Sequence, residues 1–507
     1  MLEKATFTNS IRLNLLILLC HFIRAPPYWR MREEQTRQPR PGEERFAAYL
    51  DRITAVLRHA SRVASARAYC TGLLLPGERK SVEPMAARIA PGRVQATHQS
   101  MHHVVAQAEW DDAALLRAVR DLVLPAIERH GPVRYWVVDD TGFPKKGKHS
   151  VGVTRQYCGQ LGKQDNCQVA VSLSVANDHA SLPIAYRLYL PETWAADPVR
   201  RAKAAVPETI AFETKPAIAL EQIRQAREAG VPPGVVLGDV GYGNETEFRV
   251  GVRDLGLAYV LGVQSATTVW RPGTAPLPPR TRPGPGRPQT RLQHAPGQTP
   301  VSLATVAAGL AGRAWRTVTW REGSQAALSS RFAALRVRPA HRDQKRSEPW
   351  PEEWLLIEWP KGEADPTKYW FSNLPPTTPL KHLVHAAKAR WVIERDYQEL
   401  KQEIGLGHYE GRGWRGFHHH ASLCIAAYGF LIAERCLFPL STASGASRSG
   451  HLRYPTVSSR AAPPIRPERH IPHSIASVRR RLTATLVSAL PRCPCCLQKH
   501  PHSRILN

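Results

Sequence analysis

The spacing of apolar residues changes along the chain, and the changes divide it. Phe46, Tyr49, Leu50, Ile53 and Leu57 recur every three or four residues, as do Leu115, Val119, Leu122 and Ile127. Such spacing lines one side of an α-helix, so residues 43–130 are predicted helical. Asp111 and Asp112 precede the second stripe, where negative charge suits a helix start. Near residue 135 the period shortens. Residues 135–138 form an apolar run that ends in Asp139-Asp140-Thr141-Gly142, a buried strand followed by a turn. Residues 150–157 and 167–176 read as strands joined by the Gly- and Asn-containing stretch 159–166, and 183–190 as another. A helix is predicted over 215–229. A strand over 235–238 ends in Asp239, a helix covers about 244–254, and a strand covers 258–261. Meandering strands followed by strands alternating with helices predict a mixed α/β sheet.

The pattern then lapses. Residues 271–300 hold nine prolines, five arginines and no acid, which predicts a flexible basic loop. Strand-like runs return over 314–372. A long helix is predicted over about 380–404, with Ile393, Tyr397, Leu400 and Ile404 as its apolar stripe and Gly405 and Gly407 at its end. A second apolar helix covers 418–436, and 437–472 reads as a Ser-, Pro- and Arg-rich linker. From residue 441 on there are eleven Lys and Arg and one acid, Glu468.

Charge narrows the partner. Among 507 residues, 69 Lys and Arg face 42 Asp and Glu, a net charge of +27. That surplus calls for an anionic partner, nucleic acid first. Nine scattered cysteines, an odd number, argue against a disulfide-stapled secreted protein. The apolar run 13–23 is too short to cross a bilayer and no cleavage site follows it, so residues 1–42 read as a disordered or over-called leader and the setting as cytoplasmic, nucleoid-associated, without a membrane. The tail carries Cys493, Cys495 and Cys496 with His500 and His502. Their spacing is not that of a CxxC pair, which disfavours zinc.

Three acids stand where chemistry is done. Asp139-Asp140 and Asp239 sit at strand ends, where open α/β sheets place ligands. Side chains alternate along a strand, so only one of Asp139 and Asp140 faces a given site. On the helix near 390, Arg390, Glu394 and Lys401 are spaced to share a face. An acid between two cations can take metal with the acid and phosphate with the cations.

These stretches carry a resemblance. Asp139-Asp-Thr-Gly-Phe-Pro-Lys-Lys-Gly-Lys148, Ser150-Val-Gly-Val-Thr-Arg-Gln-Tyr-Cys158, Gly238-Asp-Val-Gly-Tyr-Gly243 and Arg390-Trp-Val-Ile-Glu-Arg-Asp-Tyr-Gln-Glu-Leu-Lys401 together resemble the DDE transposases of bacterial insertion sequences, in the IS4-like group and most closely the IS701 family. The resemblance implies an RNase H-like mixed sheet flanked by helices, with a β-rich insertion before the Glu helix. It implies catalytic, metal-holding acids at Asp140 (the Asp before Thr), Asp239 and Glu394, supported by Asp139, Tyr242, Arg390 and Lys401. The tyrosine of the Tyr-x2-Arg-x3-Glu-x6-Lys signature is Ala387 here. Mg²⁺ is the implied cofactor, with Mn²⁺ able to substitute. The implied partners are terminal inverted repeats, target DNA and a second copy synapsed on DNA. Lys145, Lys146, Lys148 and Arg155 near the first acids are candidates for phosphate contact, and Trp270 for stacking on a flipped base.

The expected order is a leader (1–42), a helical DNA-binding region (43–130), the first part of the core (131–262), the insertion (263–378), the second part of the core (379–436) and a basic tail (437–507). The expected activity is metal-dependent cleavage at element ends and strand transfer to target DNA. Two competing readings are a catalytically silent DNA-binding derivative and a nuclease that cuts without joining.

Overall fold

The computed structural model describes residues 41–279, 290–322, 327–437 and 474–494. The leader up to residue 40, residues 280–289 of the basic loop, the linker 438–473, and Cys495, Cys496, His500 and His502 lie outside the described residues.

The first region is helical, as its periodicity predicts: α1 (Pro41–Thr54), α2 (Ala60–Leu74), α3 (Val82–Ile89), α4 (Val94–Ala106) and α5 (Asp112–Glu128). The Asp111 side chain accepts from the Ala114 backbone N–H and caps α5. The stripe of α1 is buried, as are Leu115, Val119 and Ile127 of α5, while Leu122 is half-buried.

A twelve-stranded sheet follows. The long strand β1 (Tyr135–Pro144) pairs antiparallel with β3 (Lys163–Ala176) on one side. Beyond β3 lie β2 (Thr154–Cys158) and β4 (Ser181–Leu188). On its other side β1 pairs parallel with β5 (Val235–Gly238), and β5 with β6 (Tyr259–Val263). The helix α6 (Lys215–Glu228) makes the crossover from β4 to β5, and α7 (Thr246–Asp254) that from β5 to β6. Both parallel crossovers carry a helix, as parallel pairing demands. This is the mixed α/β, RNase H-like class expected. The hairpin is tighter than predicted, because β3 begins at Lys163.

The insertion does not form a sheet of its own. After β7 (Thr268–Trp270) and β8 (Val301–Ser302) come β9 (Arg316–Glu322), β10 (Ala327–Pro339), β11 (Glu353–Trp359) and β12 (Lys368–Ser372). β12 pairs with β6, so the insertion extends the core sheet. The helix predicted over 380–404 is interrupted at Arg390. It forms α8 (Leu380–Ala389) and α9 (Trp391–Glu399), then a π-turn over Leu400–Ile404 closed by Gly405 at φ 86°.

Alternation sorts β1 into two cores. Trp136 and Val138 join the large core that also buries α1–α7 residues. Tyr135 and Val137 join Leu237, Val260 and the inward residues of α8 and α9. The large core is centred on α10 (Trp414–Leu437), which is buried on nearly every side. Among the described residues α10 alone is long and apolar enough to cross a membrane, and its burial identifies it as a core helix. The last described helix, α11 (Ile475–Ala489), lays Ile475, Val478, Leu482 and Leu486 on this core.

Three consecutive histidines of α10 tie the layers together. His418 Nε2 accepts from the Leu188 N–H of β4, and its Nδ1 faces the Trp414 carbonyl. His419 stacks on Trp110 at 3.7 Å. His420 takes the Tyr69 hydroxyl on Nδ1 and donates from Nε2 to the Gly405 carbonyl. Neutral imidazoles satisfy both the His418 and the His420 arrangements. Burial lowers all three pKa values, His419 and His420 to about 4. The unfolded chain therefore takes up protons first as pH falls below 6.5, and stability drops towards pH 4. From His420 alone the loss is roughly 2 kcal/mol by pH 5. Urea midpoints measured at pH 7.5 and 5 are expected to fall in acid for the wild type and to fall less for His420→Gln.

Candidate active site

The C-terminal half of β1 carries Asp139 and Asp140 side by side, and alternation sends them apart. Asp139 points to the face covered by α8 and α9. Its Oδ2 accepts from Arg390 Nη1 at 2.8 Å, and its Oδ1 accepts from the Asp140 N–H at 2.9 Å. Asp140 points to the face of α6, where Lys215 Nζ donates to its Oδ2 at 2.7 Å. Lys215 is the first residue of α6, and no local pattern marks it as a partner of Asp140.

Asp239 follows β5 directly. Extending the parallel register by two residues places it beside Asp139, on the same face. Its Oδ1 caps the short helix Val240–Gly243 by accepting from the Gly241 N–H at 2.8 Å. That helix presses on β6: a Cβ at Gly243 would stand 1.9 Å from the Gly262 carbonyl oxygen, so only glycine fits. Tyr242 is buried, and its hydroxyl has no hydrogen-bond partner.

Glu394 lies one turn into α9 and is exposed. Its Oε1 accepts from Arg390 Nη2 at 2.6 Å. One guanidinium thus joins the acid of β1 to the acid of α9, with Asp239 near enough to add to its stabilisation. Burial is the main reason that the Asp139 carboxyl is pushed up to about 7. The Asp239 and Asp140 charges raise it further, and Arg390 opposes them. A cavity of about 360 Å³ opens beside Asp239, Arg390, Trp391 and Glu394. Ala387, at the signature's tyrosine position, also lines it.

The residues behind Glu394 are fixed from below. Asp396 is fully buried, accepts from Ser181 Oγ at 2.5 Å and from Tyr428 Oη at 2.9 Å, and has its carboxyl raised to about 6 by burial. The Tyr397 hydroxyl meets Ser172 Oγ at 2.7 Å and donates to the Asp139 carbonyl at 3.1 Å. Periodicity marked Tyr397 only as part of an apolar stripe.

The π-turn separates Lys401 from Glu394. Lys401 Nζ donates to the Gly142 carbonyl at 2.8 Å and to Gln160 at 3.2 Å, and burial lowers its pKa to about 8. Lys145 is also engaged, donating to the Tyr409 carbonyl at 2.7 Å, while Lys146, Lys148 and Arg155 are exposed. Trp270 is not placed to stack on a base. It is 1% exposed and its indole N–H donates to Asp343 Oδ2 at 2.7 Å.

The donor chemistry suits a hard divalent cation, because Asp139, Asp239 and Glu394 offer only carboxylate oxygens. Among the described residues no three His, Cys, Asp or Glu side chains gather around one point as metal ligands, and Arg390 is what links these acids.

The chain is similar to known proteins. Residues 52–327 match the family model described as DDE superfamily endonuclease. A relative from Microchaete diplosiphon, "Probable transposase for insertion sequence element IS701", is 30% identical over 168 residues. The match covers 33% of this chain and 41% of that protein, less than half the length of either.

Tyr397→Phe keeps the buried ring and removes its two hydrogen bonds, leaving Ser172 and the Asp139 carbonyl without that partner. The expected loss is about 1–3 kcal/mol, read from urea unfolding. An unchanged midpoint would show that the hydroxyl does not hold α9 to β1.

Proposed function

The chain belongs to the DDE superfamily endonucleases, and from that premise we propose that it is a DNA transposase that cleaves element ends and joins them to target DNA. The observation that carries the reading is the single guanidinium of Arg390 bonded to both Asp139 and Glu394 beside Asp239. Acids drawn from two parallel strands and a distant helix, with a phosphate-binding cation among them, suit phosphodiester chemistry.

Asp139, Asp239 and Glu394 are proposed to hold the divalent ion, Mg²⁺ or Mn²⁺. When bound, that ion favours the deprotonated form of an attacking water or 3′-hydroxyl and offsets charge on the scissile phosphate. Asp139 takes the place that the Asp-Thr resemblance gives to Asp140, because Asp139 shares a face with the other two acids. Asp140 acts on the opposite face, anchoring the start of α6 through Lys215. Arg390 has N–H donors beyond the two it gives Asp139 and Glu394, and these are proposed to meet a phosphate oxygen, which the three-donor point charge of Lys would do less well. Lys146, Lys148 and Arg155, exposed beyond the end of β1, are proposed to hold the phosphate backbone near the site. Lys145 and Lys401 act differently: their ammonium groups fix backbone carbonyls at the rim. The helical region 43–130 is proposed to bind the element end, and two copies to pair two ends.

Asp239→Asn and Glu394→Gln are each expected to cut a duplex from the element's end at least about 100-fold more slowly with Mg²⁺, with metal-free duplex binding unchanged. Cleavage at the wild-type rate by either variant would remove that residue from the site. Labelled 3′ ends are expected to appear joined to a supercoiled target, and ends that are cut but never joined would mark a plain nuclease.

A further inference from the structure

Helical surfaces on this protein are generally charged where they meet solvent. α1 exposes Glu44, Asp51 and Arg52; α5 exposes Arg117 and Asp121; α6 exposes Arg224, Arg227 and Glu228. The helix α4 breaks that pattern. Its thirteen residues, Val-Gln-Ala-Thr-His-Gln-Ser-Met-His-His-Val-Val-Ala, include no Asp, Glu, Lys or Arg. Met101, Val104 and Val105 are buried against α2 and α3. Gln95, Ala96, Gln99, Ser100, His102 and His103 are exposed. The outward surface therefore offers neutral donors and acceptors on a face that no other described element covers.

The supports of α4 fit the same purpose. α3 and α4 are joined by Ala90-Pro-Gly-Arg93, closed by an Arg93 N–H to Ala90 carbonyl bond of 2.9 Å. A short Gly-containing turn between two helices is how a reading helix is held forward of its scaffold. The scaffold is tight: a Cβ at Gly72 of α2 would meet the Met85 Cβ of α3 at 2.9 Å. Arg93 is exposed at the entrance to α4. From Arg79 to Ala108 there are four Lys and Arg and a single acid, Glu83. Of these cations Arg79 is paired with Glu410 and Lys80 is buried, so Arg93 is the exposed charge offered to phosphate at the entrance to α4, and the helix face itself is free of the acids that would repel phosphate.

We infer that α4 is a base-reading helix that enters the major groove of duplex DNA. Gln side chains can pair with adenine N6 and N7, and Ser and His offer shorter-reach donors and acceptors to base edges. Gln99 and His102 lie one turn apart on the exposed face and make the sequence-dependent contacts, whereas Arg93 contacts backbone phosphate. This assignment rests on the reading of the protein as acting on DNA, and it concerns a surface separate from the acids.

The test is selection from a pool of random 20-base-pair duplexes by the full chain in EDTA, followed by anisotropy on the enriched duplex. The wild type is expected to enrich one sequence and to prefer it over a shuffled duplex. The exposed double variant Gln99→Ala/His102→Ala is expected to keep the wild-type melting temperature and lose about tenfold or more of that preference. Arg93→Ala is expected to weaken enriched and shuffled duplexes alike. The inference is overturned if the wild type enriches no sequence, or if the double variant retains the full preference. Cleavage with Mg²⁺ is scored separately. Selective binding without cutting sinks the transposase reading alone, and cutting with an unaltered preference in the double variant sinks this one alone.

Discussion

The architecture around the acids depends on one ion-pair bridge, from Asp139 through Arg390 to Glu394. Asp139 and Glu394 are separated by more than 250 residues and by the whole insertion, and they come from a strand and a helix. Burial is the main cost of placing Asp139 here, raising its carboxyl, and the neighbouring Asp239 and Asp140 charges add to it. The half-buried guanidinium of Arg390 supplies the opposing charge with two bonds in the fork geometry peculiar to arginine. Its position just before α9, where the helical ladder is interrupted, lets it reach the strand on one side and its own helix on the other.

The bridge needs a rigid floor, and the next turn of α9 provides it. Asp396 and Tyr397 are buried polar groups bonded to β3, β4, α10 and the Asp139 carbonyl. Burying a carboxyl and a phenol is costly unless their bonds are met. Here the bonds to Asp396 Oδ1 and to the Tyr397 hydroxyl set the height of α9 over β1, while Asp396 Oδ2 is buried without a hydrogen-bond partner. The insertion contributes by continuity. Because β12 pairs with β6, the chain returns to the sheet edge with α8 and α9 placed over β1 and β5.

Much of this was legible in the sequence. The amphipathic stripes of α1 and α5, the apolar runs of β1 and β5, and Asp239 at a strand end all follow from period and length. The interruption at Arg390 did not, because its residues keep helical spacing on both sides. Asp139 and Asp140 were distinguishable in principle by alternation, but only once the faces of β1 were known. The Asp-Thr resemblance pointed to Asp140. The partner that explains Asp140, Lys215, is 75 residues away and carries no local signal. Trp270 looked available because it borders a basic loop, yet its indole is enclosed by the insertion and bonded to Asp343.

The central claim is that the site is built on the face of β1 that presents Asp139. Mn²⁺ binding, followed by electron paramagnetic resonance on the DNA-bound protein, tests it most directly with two isosteric variants compared side by side. Asp139→Asn should lose Mn²⁺ affinity as severely as Asp239→Asn, while Asp140→Asn should retain wild-type affinity. Loss of Mn²⁺ in Asp140→Asn with retention in Asp139→Asn would contradict the account.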